Sequence, residues 1–342
     1  MAIIKKPSDH PYFPLKPKIG VLLVNLGTPD GTDYWSMRKY LKQFLMDRRV
    51  VDIFKPLWWL ILNGPILTFR PSKSGKAYEK IWDKDNYGSP LRKHTINQTK
   101  KLQELFKQDK QIIIEHAMRY GKPEIDKTLY KMKENGCTKI VLMPLYPQYA
   151  ASTSATVKDE VFKWLLEQRW QPDIRTISPW FDDSNYINAL ANTIKDNLKN
   201  KTKPDMLLIS FHGIPKRYFM AGDPYHCHCI KTARLLKQEL KWPEDKILVT
   251  FQSRFGPEPW LQPYTDKTII DLAKNGIKNI AVVAPGFISD CLETLEELNV
   301  EARELFIENG GQNFEYIPCL NDNKHSIKLL NQIIKTNLLG WV

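Results

Sequence analysis

The stretches "RYGKPEIDKTLYKMKENGCTKIVLMPLYP" (119–147) and "RFGPEPWLQPYTDKTIIDLAKNGIKNIAVVAPG" (254–286) repeat each other in outline. Each has an Arg, an aromatic residue and a Gly, then Asp-Lys-Thr, then Asn-Gly, and then an apolar run that ends in Pro. "LLVNLGTP" (22–29) and "LLISFHGIP" (207–215) form a further pair. Repetition on this scale predicts two similar structural units within one chain.

Apolar runs bounded by turn residues alternate with segments of helical periodicity, such as 93–107, 155–168, 184–199 and 229–240. This alternation predicts parallel α/β structure with short crossovers. Eight runs are interpreted as buried strands: 19–27, 112–118, 139–146, 173–178, 205–213, 246–252, 279–286 and 314–318.

The eight runs divide four and four between the repeats. The predicted fold class is therefore α/β with two similar Rossmann-like domains, each an open four-stranded parallel sheet flanked by helices. We place the domains at 1–178 and 179–325, and expect a C-terminal helix within 326–342 that could pack back on the first domain. Ligands of such sheets bind beyond the carboxyl ends of the strands, so the cleft between the domains is the expected site.

Composition restricts the class of protein. The chain has 342 residues, 42% of them hydrophobic, five cysteines and a net charge of +12. There is no apolar core of a signal peptide near the N-terminus and no run of 18 apolar residues, which predicts a cytoplasmic protein without structural disulfides. The positive charge fits an acidic ligand, an anionic membrane surface or nucleic acid, but the scattered Lys and Arg disfavour nucleic acid.

Familiar cofactor motifs are missing, whereas metal-ligating residues are abundant. Neither GxGxxG after the first strand nor GxxxxGK[ST] occurs, which disfavours nicotinamide and nucleotide triphosphate chemistry. The run "GDPYHCHCIKT" (222–232) holds four potential ligands in a row, from His226 to Cys229. Consecutive residues cannot all converge on one metal, so this run is half a site at most. We interpret it as a loop that leads into the helix at 229.

Better candidates lie where strands end. His212 follows "LLISF" directly, and Asp290, Glu293 and Glu297 in "FISDCLETLEELNVEAREL" are spaced for one face of a helix, with Glu301 and Glu304 continuing it. One imidazole opposite a row of carboxylates is a mixed nitrogen and oxygen site that suits a borderline cation such as Fe²⁺ in passage. A histidine that caps a turn and a solvated acidic helix are the structural alternatives.

The same residues carry a resemblance to the ferrochelatases, which insert Fe²⁺ into a porphyrin as the last step of haem synthesis. The resemblance covers nearly the whole chain and implies two similar four-stranded domains. It rests on six segments: "LLVNLGTPDG", "YPQYAAST", "LISFHGIP", "GDPYH", "TFQSRFGPEPWLQPYTD" and "FISDCLETLEEL".

By position, the resemblance implies that His212 and Glu293 handle the metal and that Asp290 and Glu297 extend an acidic, catalytic path. It also implies that segment 50–78 is a mobile lip over the cleft. The positions that it associates with porphyrin binding are Arg119, Tyr120, Tyr146, Trp260, Arg70 and Tyr78. Fe²⁺ enters as a substrate, and no prosthetic group is needed.

Two departures from the family pattern matter. Cys291 stands where some relatives have a His, which removes a second imidazole. Some relatives hold a [2Fe–2S] cluster, but Ala151 and Phe219 stand at two of the positions that supply its cysteines, and only Cys227 and Cys229 are paired. We therefore predict no cluster, because two clustered cysteines are too few ligands.

Alternatives remain for substrate and class. A related chelatase that uses cobalt or coproporphyrin has the same motifs, and a two-lobed solute-binding protein has the same architecture but usually a secretion signal. The run Leu57 to Leu62 is too short to span a bilayer and long enough to rest in its interface. The expected partners are thus a porphyrin, Fe²⁺ and, through 57–69, the inner face of a membrane; a buried hydrophobic helix is the alternative for the lip.

Overall fold

Two separate parallel sheets form the frame of the protein in the computed structural model, which describes residues 16–342. The first sheet has the order β2-β1-β3-β4, with β1 at Lys18–Thr28, β2 at Ile112–Gly121, β3 at Cys137–Pro144 and β4 at Asp173–Thr176. The second has the order β6-β5-β7-β8, with β5 at Met206–His212, β6 at Ile247–Gln252, β7 at Asn279–Val283 and β8 at Asn313–Ile317. The predicted fold class is confirmed. The N-terminal segment, on which the expectation of no signal peptide depends, lies largely outside the described residues.

Helices pack on both sheets and connect their strands. Three segments are π-helical: Leu62–Ile66, Ala151–Ala155 and Glu297–Ala302. A short 3-10 turn covers Glu244–Lys246. The α-helices are α1 (Tyr34–Leu45), α2 (Lys55–Ile61), α3 (Leu67–Glu79), α4 (Pro90–Leu105), α5 (Ile125–Glu134), α6 (Thr156–Leu166), α7 (Ser184–Leu198), α8 (Lys216–Met220), α9 (Tyr225–Leu240), α10 (Thr265–Lys274), α11 (Leu292–Leu295), α12 (Arg303–Glu308) and α13 (Lys324–Leu338).

The sequence repeat corresponds to one structural unit in each sheet. Its first copy covers the end of β2, helix α5 and strand β3, and its second copy begins just after β6 and covers helix α10 and strand β7. The Asp-Lys-Thr of each copy lies in the first turn of its helix, and an Asn-Gly pair follows that helix. In each sheet the repeated sequence therefore corresponds to the crossover from the edge strand, β2 or β6, to the third strand of the sheet, β3 or β7.

The C-terminal helix bridges the two sheets. Leu329, Leu330 and Ile334 of α13 belong to the same buried apolar cluster as Leu23 of β1 and Leu207 of β5. The helix packs against α4 and β3 as well as against α7. Burial of this shared core fixes the two sheets relative to each other, because close-packed interiors resist shear.

Some boundaries differ from the predicted ones. The strands predicted to reach 146, 178 and 286 end earlier, because Pro144 closes β3 and the residues after β4 and β7 turn into loops. Helix α9 begins at Tyr225 rather than at 229, so the Cys–His run forms its first turn and is not a loop. Asp223 explains the earlier start, since its Oδ1 accepts a hydrogen bond of 3.0 Å from the Tyr225 amide.

Candidate active site

His212 is the last residue of β5 and is half-buried at the cleft between the sheets. Its Nδ1 lies 2.6 Å from the carbonyl oxygen of Gly213. A carbonyl oxygen can only accept, so Nδ1 carries the proton and Nε2 keeps a free lone pair. The rings of Trp260 and Phe287 flank the imidazole, with centroids 6.5 and 6.4 Å away. The strand end thus presents an oriented base.

Gln252 connects His212 with the acidic segment. It is the register partner of His212 on the neighbouring strand β6. Its Nε2 donates to the backbone carbonyl of Glu293 at 2.8 Å, and its Oε1 accepts from the Ser210 hydroxyl at 2.8 Å. The buried Gln252 side chain therefore fixes the backbone of Glu293 beside the strand that neighbours His212. The sequence analysis did not single out Gln252.

Ser253 is the second residue that sequence analysis missed. It has a left-handed backbone, with φ at 64°, directly after β6. This conformation is unfavourable for a residue with a side chain and is typically retained at functional sites. The Ser253 hydroxyl donates to the Glu297 carboxylate. The left-handed turn at Ser253 thus positions a hydroxyl donor next to Glu297, one of the predicted acids.

The acidic segment is not one continuous α-helix. Helix α11 begins only at Leu292, because Cys291 is extended, with φ at −146° and ψ at −170°. The chain then widens into the π-helical segment Glu297–Ala302. Glu293 and Glu297 lie on this segment, whereas Asp290 precedes it. The expectation that one helix face presents all three acids is therefore wrong for Asp290.

Asp290 has a different environment from the other acids. It is buried, and its oxygens accept hydrogen bonds from Thr294, Tyr316, the Cys319 amide and Asn321 at 2.5 to 3.2 Å. A carboxylate with four donors is already saturated. It ties the start of the acidic segment to the loop after β8.

The surroundings of Glu297 favour its neutral form and raise its pKa. Burial first, and then the negative charge of Glu293, raise its pKa from 4.5 to about 8, although hydrogen bonds from Ser253 and Gln252 oppose the rise. It lines a cavity of about 1250 Å³ together with Arg70, Lys80 and Glu301. Burial also raises the pKa of Glu301, followed in size by the charge of Glu296. This cavity leads from solvent to the acid row.

Phenols and a thiol surround the Glu293 carboxylate. Burial, and then the charges of neighbours that include Glu293, raise the pKa values of Tyr40, Tyr78 and Tyr146. Burial and the Glu293 charge likewise raise the pKa of the Cys291 thiol, which hydrogen-bonds to Glu293. The charge of Glu293 thus acts on three buried phenols and a buried thiol, and no basic side chain belongs to this set.

Two of the predicted porphyrin positions carry unpaired buried polar atoms. Tyr146 Oη and Trp260 Nε1 have no hydrogen-bond partner within residues 16–342. Orphaned buried donors are uncommon in native structures and commonly indicate an unfilled site. Tyr78, another predicted position, is buried in the cluster at the base of the lip.

Arg119 and Tyr120 are held by Asp47. Arg119 donates to an Asp47 oxygen at 2.5 Å, and the Tyr120 hydroxyl donates to the same oxygen at 2.7 Å. Tyr120 has no exposed surface, so the structure puts it behind Arg119 in the core. Gly27 allows β1 to approach it: with φ at 110°, a Cβ there would lie 1.7 Å from the Tyr120 carbonyl oxygen.

Arg70 crosses the cleft mouth from the lip. Its guanidinium lies 4.6 Å from the centroid of the Phe255 ring, which belongs to the loop after β6. Burial lowers its pKa, while the charge of Glu297 acts in the opposite direction. Arg70 therefore borders the acid cavity rather than open solvent.

His228 in the Cys–His run already contacts neighbouring protein groups. The His228 ring stacks on Phe181 at a centroid distance of 3.7 Å, and its Nδ1 accepts from the Tyr149 amide at 3.2 Å. Cys229 is buried and Cys227 is exposed, so the two thiols face different environments. No three His, Cys, Asp or Glu side chains converge as a metal site within the described part of the chain.

Solved structures of other proteins show a similar fold. Three solved chelatases share the fold: SirB from Bacillus subtilis with Fe³⁺ (TM-score 0.55, 12% identity, 95% of this chain and 97% of that one), SirB with cobalt (0.53, 14%, 95% and 97%) and CbiX (0.51, 12%, 93% and 98%).

Several proteins with known names are much more similar to this chain in sequence than these three structures are. Proteins named ferrochelatase from Allorhizobium ampelinum and Agrobacterium fabrum are 54% and 53% identical to this chain, over 98% of each chain. The ferrochelatase of Rhizobium meliloti is 54% identical over 95% of this chain and 96% of its own length. A sequence model of the family described as Ferrochelatase matches residues 18–338. This chain belongs to the ferrochelatase family.

Proposed function

We propose that this chain inserts Fe²⁺ into protoporphyrin IX and so forms protohaem, the terminal step of haem biosynthesis. Membership of the family, at more than half identical residues, supports iron insertion into a porphyrin. The observation that carries the site is the cleft between His212, with its free Nε2, and Glu293, which lies among buried phenols and a buried thiol. Residues 1–178 and 179–325 would act as its two walls.

The reaction consumes the porphyrin with its two inner N–H groups and Fe²⁺, and it releases haem and two protons. In our proposal, Nε2 of His212 accepts a pyrrole proton, because its lone pair is free and an imidazole is basic enough near pH 7. A cleft that fits a bent ring favours the transition state over the flat substrate. Tyr146 and Trp260 supply the unpaired donors that would contact the macrocycle.

The acids are given separate tasks. Glu293 would receive the ion, and Glu297, neutral before the ion arrives, would release its proton as Fe²⁺ approaches and take up part of the charge. Asp290 would act as a positioning residue, because four donors already occupy its oxygens. Arg119 would orient the ring edge from its place on Asp47, with Tyr120 behind it, while Arg70 and Tyr78 would contact the ring from the lip.

The test is anaerobic incubation with protoporphyrin and Fe²⁺, followed by absorption spectroscopy. Haem should form with the wild type and not with His212→Ala, while both proteins quench porphyrin fluorescence. Parallel reactions with coproporphyrin and with Co²⁺ measure selectivity. Faster metalation of coproporphyrin, or preferential use of Co²⁺, would overturn the substrate assignment and favour the related chelatases.

We further propose that the lip rests on an anionic membrane surface. No helix among the described residues is long and apolar enough to cross a bilayer. Leu57, Trp59, Leu60 and Phe69 of the lip are nevertheless 50 to 73% exposed, whereas Trp58 is buried with its Nε1 donating to the Leu45 carbonyl. Exposed Lys55, Lys73 and Lys76 would add about 1 kcal/mol each near anionic lipid.

Vesicle sedimentation tests this proposal. Trp59→Ser should reduce binding to vesicles that contain phosphatidylserine, and Leu166→Ser, which removes an exposed apolar side chain of α6, should not. Equal binding of both variants and the wild type would exclude the lip as the contact.

A further inference from the structure

The lip is built on the first sheet and fastened to elements of the second at both of its ends. Helix α1 holds it on its own side, where the Tyr34 hydroxyl donates to the carbonyl of Leu67 in the lip and the indole of Trp58 in the lip donates to the carbonyl of Leu45. The contacts across the cleft involve different residues, namely 50–52 at the start of the lip and Lys80, two residues after its end. Any motion that widens the cleft mouth has to break them.

The front fastening is a tyrosine whose hydroxyl has three partners. Tyr218 Oη donates to the Val50 carbonyl at 3.1 Å, and accepts from the Asp52 amide at 3.1 Å and from Arg217 at 3.2 Å. Arg217 also stacks over the Tyr218 ring at 4.5 Å and pairs with Glu258 at 2.8 Å. We call Tyr218 and Arg217, with Val50 and Asp52, the front clasp.

The front clasp is connected to His212 through a short segment of the chain. Tyr218 lies on α8, which starts four residues after His212. The segment between them is held to the Trp260 loop, because the Leu261 amide donates to the Ile214 carbonyl and the Lys216 amide donates to the Pro259 carbonyl. A displacement of the start of the lip is thus transmitted to His212 along a short segment that is held by hydrogen bonds.

The rear fastening is an ion pair. Lys80, the C-terminal cap of α3, lies with its Nζ 2.6 Å from Oε1 of Glu296. The Glu296 side chain is only 5% exposed, and it precedes the π-helical segment. Removing one partner of a pair with a buried member leaves a charge without compensation, so this contact resists opening. We call Lys80 and Glu296 the rear clasp.

We propose that the front and rear clasps are positioning elements that set the opening of the lip and thereby the rates at which porphyrin enters and haem leaves. The inference rests on the proposed porphyrin site beneath the lip. Neither clasp touches the reacting atoms, so the metalation step itself should not depend on them. Because we expect the loss of a clasp to cost about as much as one net hydrogen bond, it should change the population of the open state by about 3- to 10-fold.

The variants are Tyr218→Phe, which removes only the hydroxyl, and Lys80→Met. Matched controls are Tyr130→Phe, which loses a hydroxyl bonded to Gln168 on the far side of the first sheet, and Lys201→Met, which loses the ion pair to Glu315. Lys80→Met combined with Glu296→Leu removes the rear clasp without leaving a buried charge. This double variant keeps the test available where the single one fails to fold.

Three measurements separate positioning from a merely structural role. Haem transfer to an apo-haem acceptor and stopped-flow porphyrin quenching should accelerate about 3- to 10-fold in the clasp variants. Single-turnover metalation of prebound porphyrin by Tyr218→Phe should stay within about twofold of the wild type. Hydrogen exchange of the free protein should accelerate in peptides from 50–80, and both controls should behave as wild type.

Unchanged exchange at 50–80 in folded clasp variants would show that the clasps do not hold the lip. Faster hydrogen exchange with unchanged rates of porphyrin binding and haem transfer would show that the lip does not control how fast porphyrin enters or haem leaves. Either result overturns the inference. The exchange experiment needs no substrate, so it stands even if the wild type makes no haem, which would instead refute the proposed function.

Discussion

Replacing Glu297 with Gln should stabilise the protein at alkaline pH and leave it unchanged at acidic pH. The amide has nearly the shape of a protonated carboxyl but cannot ionise. In the folded wild type, burial and the charge of Glu293 raise the pKa of Glu297 to about 8 from 4.5. The variant therefore resembles the wild type only while Glu297 is protonated.

The sign follows from proton binding in the two states. Between pH 4.5 and 8 the folded state holds the Glu297 proton and the unfolded state does not. The contribution of Glu297 to the unfolding free energy is thus fully present below pH 4.5 and is lost as pH rises to 8, at about 1.4 kcal/mol per pH unit. The full span corresponds to about 5 kcal/mol, and relaxation around the ionised group reduces it, so we expect about 2–4 kcal/mol at pH 8.

The assay is urea denaturation of both proteins at pH 5, 6.5 and 8, followed by circular dichroism and tryptophan fluorescence. Titrating groups that do not interact with Glu297 cancel in the difference between variant and wild type. Glu308→Gln, an exposed acid at the end of α12, makes the same change in net charge and should stay within about 0.5 kcal/mol at every pH. If Glu297→Gln and the wild type lose stability in parallel from pH 5 to 8, Glu297 is ionised at neutral pH and the proton-holding role is refuted.

Three further outcomes are expected. His212→Ala should abolish metalation and leave porphyrin quenching and folding intact; turnover near the wild-type rate would contradict its role as the base. Glu293→Gln should lower metalation by at least ~100-fold, the scale of a positioned acid–base group, with little change in porphyrin affinity; loss of porphyrin binding with surviving turnover would make Glu293 structural. Cys227→Ser with Cys229→Ala should stay active, and stoichiometric iron and sulfide in anaerobically purified wild type would refute the predicted lack of a cluster.

The architecture was predictable because parallel strands covered on both faces are apolar along their whole length. "LLVNLG" and "LLISFHG" stand out from their surroundings for this reason, and the repeated crossover assigned four strands to each sheet. The position of His212 at the end of a strand was likewise predictable, because the residue directly follows an apolar run, and the end of a parallel strand is where such sheets place ligands. Strand ends were less well predicted, since one hydrogen bond decides whether a residue after β4 or β7 belongs to the sheet.

The surroundings of the acids could not be predicted from local sequence. Tyr40 and Tyr78 reach Glu293 from elements more than 200 residues earlier in the chain, and no periodicity relates them. A π-helical segment has no residue signature, because it differs from an α-helix only in the hydrogen-bond partner. Gln252 and Ser253 lay inside a recognised motif, but their roles depend on a strand register and on a positive φ that the letters do not encode.

Asp290 and Glu297 show why spacing alone misassigned one acid. Both are carboxylates of the same short segment, and both lie away from bulk solvent. Asp290 accepts four hydrogen bonds, which occupy both of its oxygens and tie it to the loop after β8. Glu297 is buried and faces a like charge on Glu293, and these two effects raise its pKa although hydrogen bonds from Ser253 and Gln252 oppose the rise. The surroundings that the fold delivers, rather than the residue type or its position in a helical repeat, therefore determine which acid anchors a loop and which can exchange a proton for a cation.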